Sequence, residues 1–76
     1  MAYPNPTDGM IIMDVPQDSG ITLEVTDASG VPVFRKGFTK GEVVVADLTG
    51  HKPGIYLMQA KTAIGRYVAK IILKEK

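Results

Sequence analysis

The composition of this chain limits it to one small domain without disulfide chemistry. It has 76 residues and no cysteine, so neither a disulfide framework nor a thiolate nucleophile is available. Nine Lys and Arg residues nearly balance eight Asp and Glu residues, which excludes a general electrostatic attraction to nucleic acid or to an anionic membrane. No apolar run is long enough to insert into a bilayer, and the first residues lack the pattern of a signal peptide.

The chain opens with a Pro-rich segment that predicts an extended arm. Pro4 and Pro6 each push the preceding residue toward extended backbone, and those residues are Tyr3 and Asn5. We therefore expect an arm over residues 3–9 that bends into the first full strand. The two residues before it belong to a linker or were added for expression. A disordered linker tail is the alternative.

Alternating apolar and polar residues predict six strands after this arm. They span residues 10–15, 21–27, 31–36, 42–48, 55–62 and 66–74. Clusters of turn-forming residues at 16–20, 27–30, 37–41 and 63–65 separate most of them. The side chains expected to face the core are those of Ile11, Met13, Val15, Ile21, Leu23, Val25, Val44, Ala46, Leu48, Tyr56, Met58, Ala60, Ala69, Ile71 and Leu73.

These strands predict an all-β fold, an antiparallel β-sandwich of six or seven strands with residues 10–74 as its body. No segment has the 3.6-residue period of a helix. Pro32 stands early in its strand, where an edge strand tolerates proline. A closed barrel is the alternative, and it is less suited to a chain of this length.

Residues 47–56 interrupt the alternation with two glycines and a proline. Gly54 tolerates backbone angles that other residues avoid, and Leu48 and Tyr56 are core-facing residues on either side of the loop. A tyrosine early in a strand, just past a corner between two sheets, is typical of a tyrosine corner, in which its hydroxyl bonds backbone a few residues upstream. Asp47 is expected to cap the loop through backbone N–H groups. A hairpin loop followed by a core tyrosine is the alternative.

No residue pattern predicts catalysis, a metal site or a cofactor. His51 is the single histidine, and a zinc site needs about four ligands that are mostly Cys or His, so we do not expect His51 to bind a metal. Ser19 and Ser29 are turn residues without a neighbouring histidine that could act as a base. We therefore do not expect an enzyme.

The aromatic residues leave one binding function open. Tyr3, Phe38 and Tyr67 could form a sugar-binding platform on a generic immunoglobulin-like spacer or adhesion module of a bacterial surface protein. Nucleic-acid binding would require a basic stripe with stacked aromatic rings, and the chain has no such stripe. Placement in the full-length gene product separates a spacer, which can lie anywhere, from a domain that must end its protein.

Four motifs in a fixed order resemble a known family. They are the segment Tyr3-Pro4-Asn5-Pro6, the strand and turn at 21–30, the segment at 47–56 with Asp47, Leu48, Gly54 and Tyr56, and an apolar terminal strand that ends in lysine. Together they resemble the C-terminal sorting domain of type IX secretion cargo, type A, also called the Por secretion system sorting domain. The likeness covers essentially the whole chain. Two features depart from the family pattern. His51 and Lys52 add charge to a loop that is usually apolar or small, and Glu75 and Lys76 extend the basic tail.

The resemblance implies an immunoglobulin-like β-sandwich that is not catalytic and binds no cofactor. Such domains end secreted proteins of Gram-negative bacteria, behind an N-terminal cargo domain. After export to the periplasm, the domain addresses the cargo to an outer-membrane translocon and its shuttle proteins. A sortase-like peptidase then removes the domain at the cell surface, where the cargo stays or is released. Neither nucleic acid nor membrane insertion is implied.

The resemblance ties recognition to the terminal strand. We expect a receptor to read Lys70, Ile72, Lys74 and Lys76, with Lys70 and Lys74 pointing outward. A terminal strand also presents backbone N–H and C=O groups that do not depend on the cargo. The alternative is that the lysines only keep an edge strand soluble. We expect a monomer at low concentration that can form strand-swapped or edge-paired dimers.

Overall fold

The structure, a computed structural model, describes residues 2–15 and 20–75. Within them seven strands form two antiparallel sheets. The strands are β1 (Ala2–Tyr3), β2 (Met10–Met13), β3 (Ile21–Asp27), β4 (Pro32–Phe38), β5 (Val45–Asp47), β6 (Gly54–Lys61) and β7 (Arg66–Leu73). One sheet has the order β1-β2-β5 and the other the order β4-β3-β6-β7. The architecture is an antiparallel β-sandwich, as the strand pattern predicts, and it is compatible with the immunoglobulin-like fold that the family resemblance implies.

A single hydrophobic core fills the space between the two sheets. Every side chain expected to face inward is buried, except that of Ala69, which is half-buried at the margin of the core. The strict period of two in β3, β6 and β7 produces this result, because alternate residues of a strand point to opposite faces. Each large apolar side chain removed from water contributes about 1.5–3 kcal/mol to folding.

The turn between β3 and β4 depends on Asp27. Gly30 N donates to Asp27 O at 3.0 Å, which closes the predicted four-residue turn. The Asp27 carboxylate accepts hydrogen bonds from Val31 N at 3.0 Å and from Ser29 N at 2.9 Å. The bond from Val31, followed by that from the Ser29 hydroxyl, lowers the pKa of Asp27.

Three predicted strand bounds are wrong by two residues or more. β2 ends at Met13 and does not reach residue 15. β4 continues through Gly37 to Phe38, because Phe38 pairs with Ile21 and is only 5% exposed. Packing of this ring in the core outweighs the turn preference of glycine. β5 begins at Val45, because Glu42 belongs to the preceding turn: its carboxylate accepts a hydrogen bond from Thr39 N at 2.6 Å.

β4 is an edge strand that carries a charge on its inner face. Lys36 lies opposite Leu23 in the strand register, on the core side of the sheet. The Lys36 Nζ atom lies 5.2 Å from the centroid of the Phe38 ring, a cation–π contact. An inward-pointing charge and a proline early in the strand both oppose pairing with a second sheet. A register shift between Val25 and Thr26 adds a bulge at the Pro32 end.

Part of one prediction lies outside the described residues. The turn predicted at 16–20 includes residues 16–19, which the description does not cover. No helix in the described residues is long and apolar enough to cross a membrane.

Candidate functional site

The terminal strand β7 presents a row of side chains on the outer face of the four-stranded sheet. It pairs with β6 along its whole length, from Arg66 opposite Lys61 to Leu73 opposite Gly54. Lys70 and Ile72 are exposed on the outer face, as the alternation predicts. Lys74 follows the strand and is also exposed, whereas Lys76 lies outside the described residues.

The N-terminal arm, residues 2–9, connects the two sheets and begins one residue before the predicted range of 3–9, because Ala2 is already part of β1. Ala2 pairs with Met13 in the three-stranded sheet. Five residues later, Thr7 forms a parallel bridge to Leu73 of the four-stranded sheet. The arm is therefore an ordered part of the sandwich, and the alternative of a disordered tail is wrong for these residues.

The arm covers the free backbone edge of β7 at its C-terminal end. The Asn5 side-chain amide donates to Lys70 O at 2.9 Å and accepts from Ile72 N at 3.0 Å. Thr7 continues the pairing: its N–H donates to Ile72 O at 2.9 Å, and its carbonyl accepts from Lys74 N at 2.8 Å. Backbone groups that a receptor strand would need are thus already bonded within the domain.

This pairing corrects one expectation about the terminal strand. The sequence suggested that a receptor could read its open backbone edge, but Asn5 and Thr7 occupy the edge between Lys70 and Lys74. The side chains of Lys70, Ile72 and Lys74 remain exposed. Recognition at this end of the strand can therefore use side chains, whereas strand addition would first require the arm to leave.

Thr7 anchors the arm, a role that was not predicted from the sequence. Its side chain is 1% exposed. Its hydroxyl donates to Met10 O at 2.5 Å and accepts from Gly9 N at 3.2 Å. A threonine two residues before a glycine is the local signal of such a turn. A Cβ at Gly9 would lie 2.7 Å from the Thr49 Oγ1 atom, so a side chain there would force the Thr49 hydroxyl to shift.

The loop at residues 47–56, the corner loop, is a tyrosine corner, as predicted. Tyr56 is buried, and its hydroxyl donates to Lys52 O at 2.6 Å. Gly54 adopts a φ of +153°, a conformation that residues with side chains rarely adopt. Leu48 is buried at the end of the preceding strand, and Leu48 N donates to Gly9 O at 2.9 Å, which ties the loop to the arm.

Asp47 caps this loop, as the sequence predicts. Its carboxylate accepts a hydrogen bond from Thr49 N at 3.0 Å. The Thr49 hydroxyl and then the Thr49 N–H lower the pKa of Asp47, with a smaller contribution from the nearby His51. Asp47 is exposed, so its role is to hold the backbone of the corner loop.

The other motif residues and the aromatic rings have structural positions. Tyr3 lies in β1, and the bonds that precede Pro4 and Pro6 are both cis. Phe38 is buried in the core, so it cannot form a sugar-binding platform with Tyr3 and Tyr67. In the described ranges, no group of three His, Cys, Asp or Glu residues is placed to hold a metal ion.

The arm, the corner loop and the terminal strand thus form one connected unit at the same side of the sandwich. A comparison with curated proteins found no match. The family model described as the secretion system C-terminal sorting domain matches residues 1–74 of the chain. This match includes all three parts of the unit, and it covers nearly the whole chain. The protein therefore belongs to the family of secretion system C-terminal sorting domains, which are sorting signals for type IX secretion.

Proposed function

We propose that this domain delivers an N-terminal cargo to the type IX outer-membrane translocon and is then removed by a sortase-like peptidase on the cell surface. Family membership already implies a secreted protein whose sorting domain contacts the secretion machinery and carries a cargo. The proposal adds a Gram-negative host and a route through the periplasm to the cell surface or the medium. The folded domain itself is the sorting signal, at the C-terminal end of its protein.

In this proposal the translocon or its shuttle proteins read the side chains of Lys70, Ile72, Lys74 and Lys76. One observation carries the idea: the arm binds the backbone edge of β7 but leaves three of these side chains exposed in the described residues. A side-chain surface on a rigid strand is the same whatever cargo precedes the domain. Exposed lysines can also meet acidic groups of a receptor.

The arm also limits where the peptidase can cut. A protease binds its substrate as an accessible extended segment, whereas Ala2 and Tyr3 are paired with β2. Cleavage within residues 2–7 would require the arm to detach from both sheets. We therefore place the cut ahead of Ala2, in the linker from the cargo.

The same contacts support a monomer at low concentration. The arm covers part of the β7 edge, and the inward-pointing Lys36 protects the β4 edge. An arm that leaves its own domain can pair with the β7 edge of a second copy, which gives a strand-swapped dimer. Light scattering at micromolar concentration should show a monomer, and a tight dimer there would contradict this assignment.

Export of a reporter tests the proposed function. The full chain is fused behind a periplasmic reporter in a host with a type IX system, and reporter activity at the surface is compared with that in the periplasm. We expect surface delivery. A folded fusion that stays in the periplasm would instead favour a generic spacer module.

A charge-reversal pair tests the recognition residues. Lys70→Glu with Lys74→Glu should change stability by only about 0.5 kcal/mol each, because both side chains are exposed. The double variant should fold and leave its cargo in the periplasm. Lys40→Glu, in an exposed loop, reverses one charge, so it is the matched control for each of the single variants Lys70→Glu and Lys74→Glu. If the folded double variant is exported normally, these lysines serve only solubility, and the recognition surface must be sought in the corner loop.

A further inference from the structure

The outer face of the four-stranded sheet is positively charged, although the whole chain is nearly neutral. Directly opposed residues of neighbouring strands share a face, so the strand register assigns each charged side chain to a face. Within the described strands the outer face carries one anion, Glu24, and four cations, which are Arg35, Lys61, Arg66 and Lys70. The chain as a whole has nine basic and eight acidic residues, so positive charge is concentrated here.

Two of these cations oppose each other. Lys61 and Arg66 are directly paired across β6 and β7, and like charges in this position destabilise a sheet. Lys70 lies opposite Leu57, which lies opposite Thr26, so no carboxylate shares its row. Among the described residues, none of the three cations has a partner within ion-pair distance. The like charges of Lys61 and Arg66 repel each other, and an anionic group from outside would relieve this repulsion.

Exposed apolar side chains lie between the cations. The outward residues of β7 are, in order, Arg66, Val68, Lys70 and Ile72. The exposed fractions of the apolar side chains on this face are 52% for Ile55, 38% for Leu57, 53% for Val68 and 42% for Ile72. Since alternate strand residues are about 7 Å apart, Arg66 and Lys70 are about 13 Å apart with Val68 between them.

A shallow depression adjoins this row. It has a volume of ≈ 340 Å³ and lies between the β3–β4 turn and the start of β6. Ile55, Leu57 and Lys70 are among the residues that line it. An apolar side chain of a partner can enter this depression while a neighbouring carboxylate meets the Lys70 ammonium group.

We propose that the outer face of β6 and β7 docks a protein surface on which carboxylates alternate with apolar side chains. On that surface, two carboxylates would lie opposite Arg66 and Lys70, and an apolar side chain between them would lie opposite Val68. The inference rests on the proposed function, because such a partner would belong to the secretion machinery. It extends the contact from the terminal residues to Lys61 and Arg66, at the far end of the hairpin.

A protein fits this face better than an anionic bilayer does. Membrane-surface anchors depend on large side chains, above all Trp and Phe, that reach below the lipid headgroups. The outer face of the described strands carries no aromatic side chain, because Phe34, Phe38, Tyr56 and Tyr67 all lie opposite inner-face residues. Its half-exposed aliphatic side chains suit an apolar protein surface.

The variant Lys61→Glu tests the proposal without weakening the fold. It places a carboxylate opposite Arg66, which is a favourable cross-strand pair, so the melting temperature should stay constant or rise. Lys40→Glu is the matched control for charge, since Lys40 is exposed in the loop after β4. In the reporter fusion we expect export to fall at least about tenfold for Lys61→Glu. The control should be exported at the wild-type rate.

The outcomes separate this inference from the proposed function. Wild-type export of a folded Lys61→Glu fusion would overturn the inference and leave the proposed function intact. Failure of the wild-type fusion to reach the surface would overturn the proposed function itself. The purified domain should not sediment with phosphatidylglycerol vesicles.

Two further results would overturn the proposal. If the domain sediments with the vesicles and Lys61→Glu abolishes this, the outer face binds a lipid bilayer. If the domain forms a dimer that Lys61→Glu dissociates, the outer face binds a second copy of the chain.

Discussion

Asn5 and Ile72 are joined by a hydrogen bond of 3.0 Å from the Ile72 N–H to the Asn5 Oδ1 atom. The Asn5 Nδ2 atom donates in turn to Lys70 O at 2.9 Å. A side-chain amide has the same donor and acceptor as a backbone peptide group. Asn5 therefore occupies the place that a residue of a neighbouring strand would take at the edge of β7.

Loss of the Asn5 amide should loosen the arm. Asn5→Ala removes two hydrogen bonds, and each is worth about 0.5–1.5 kcal/mol. Because both bonds are exposed, we expect a loss of about 1–2 kcal/mol in the free energy of unfolding, measured by urea denaturation. The Ile72 amide should exchange its hydrogen faster, while amides of the central strand β3 keep their protection. Unchanged protection of the Ile72 amide in the folded variant would contradict the role of Asn5.

The tyrosine corner should contribute measurably to stability. Tyr56→Phe removes the donor to Lys52 O and leaves that carbonyl without its partner, at a cost of about 1 kcal/mol or somewhat more. Tyr67→Phe is the matched control, because Tyr67 is half-buried and its hydroxyl has no partner among the described residues. It should change the free energy of unfolding by less than about 0.5 kcal/mol. Equal effects of the two changes in urea denaturation would argue against the corner.

The two faces of β7 should respond differently to truncation. Ile71→Ala and Leu73→Ala each remove a buried side chain and should cost about 2–5 kcal/mol. Ile72→Ala, on the outer face of the same strand, should cost less than about 1 kcal/mol. A domain of this size has a total stability of roughly 4–11 kcal/mol, so the inward variants should melt at clearly lower temperatures than the wild type. Similar melting temperatures for all three variants would contradict the assigned facing.

Acid should lower the stability of the domain because it protonates three carboxylates that cap turns. The Val31 N–H holds the pKa of Asp27 below its ordinary value, the Thr39 N–H does so for Glu42, and the Thr49 hydroxyl does so for Asp47. Their contribution to stability is complete above the ordinary pKa of about 4. It is lost as the pH falls through the lowered values, because the unfolded chain then binds more protons.

The matched variant for this test combines Asp27→Asn, Glu42→Gln and Asp47→Asn. We expect the wild-type melting temperature to fall more steeply between about pH 5 and pH 2 than that of the triple variant. The two proteins should differ most above about pH 5, where the wild-type carboxylates are ionised. Parallel curves over the whole range would show that these hydrogen bonds do not contribute to acid stability.

The parts of the fold that depend on local sequence could be predicted. Alternation determined which residues face the core, and the spacing from Asp47 to Tyr56 indicated both the cap and the corner. Errors arose where distant partners outweigh local preference. Gly37 indicates a turn, but the pairing of Phe38 with Ile21 keeps the chain in a strand.

The site could be predicted only in part, for the same reason. The Pro-rich segment with Asn5 and the terminal strand were recognised as separate motifs. Nothing in the sequence indicates that Asn5 bonds Lys70, because the two residues are 65 positions apart. Thr7 has a local signal in the glycine that follows it, but its pairing with β7 depends on how the two sheets pack.

The direction of the arm determines how the domain carries a mechanical load. The arm and β7 run parallel where Thr7 bridges to Leu73. In the proposed function, the cargo pulls on the start of the arm while the machinery holds the end of β7. These two forces act on opposite ends of parallel segments, so they shear the hydrogen bonds of Asn5 and Thr7 together instead of peeling them apart one by one. The tension therefore acts on the pairing of Ala2 and Tyr3 with β2 and on these arm–β7 hydrogen bonds before it reaches the central strands of the four-stranded sheet.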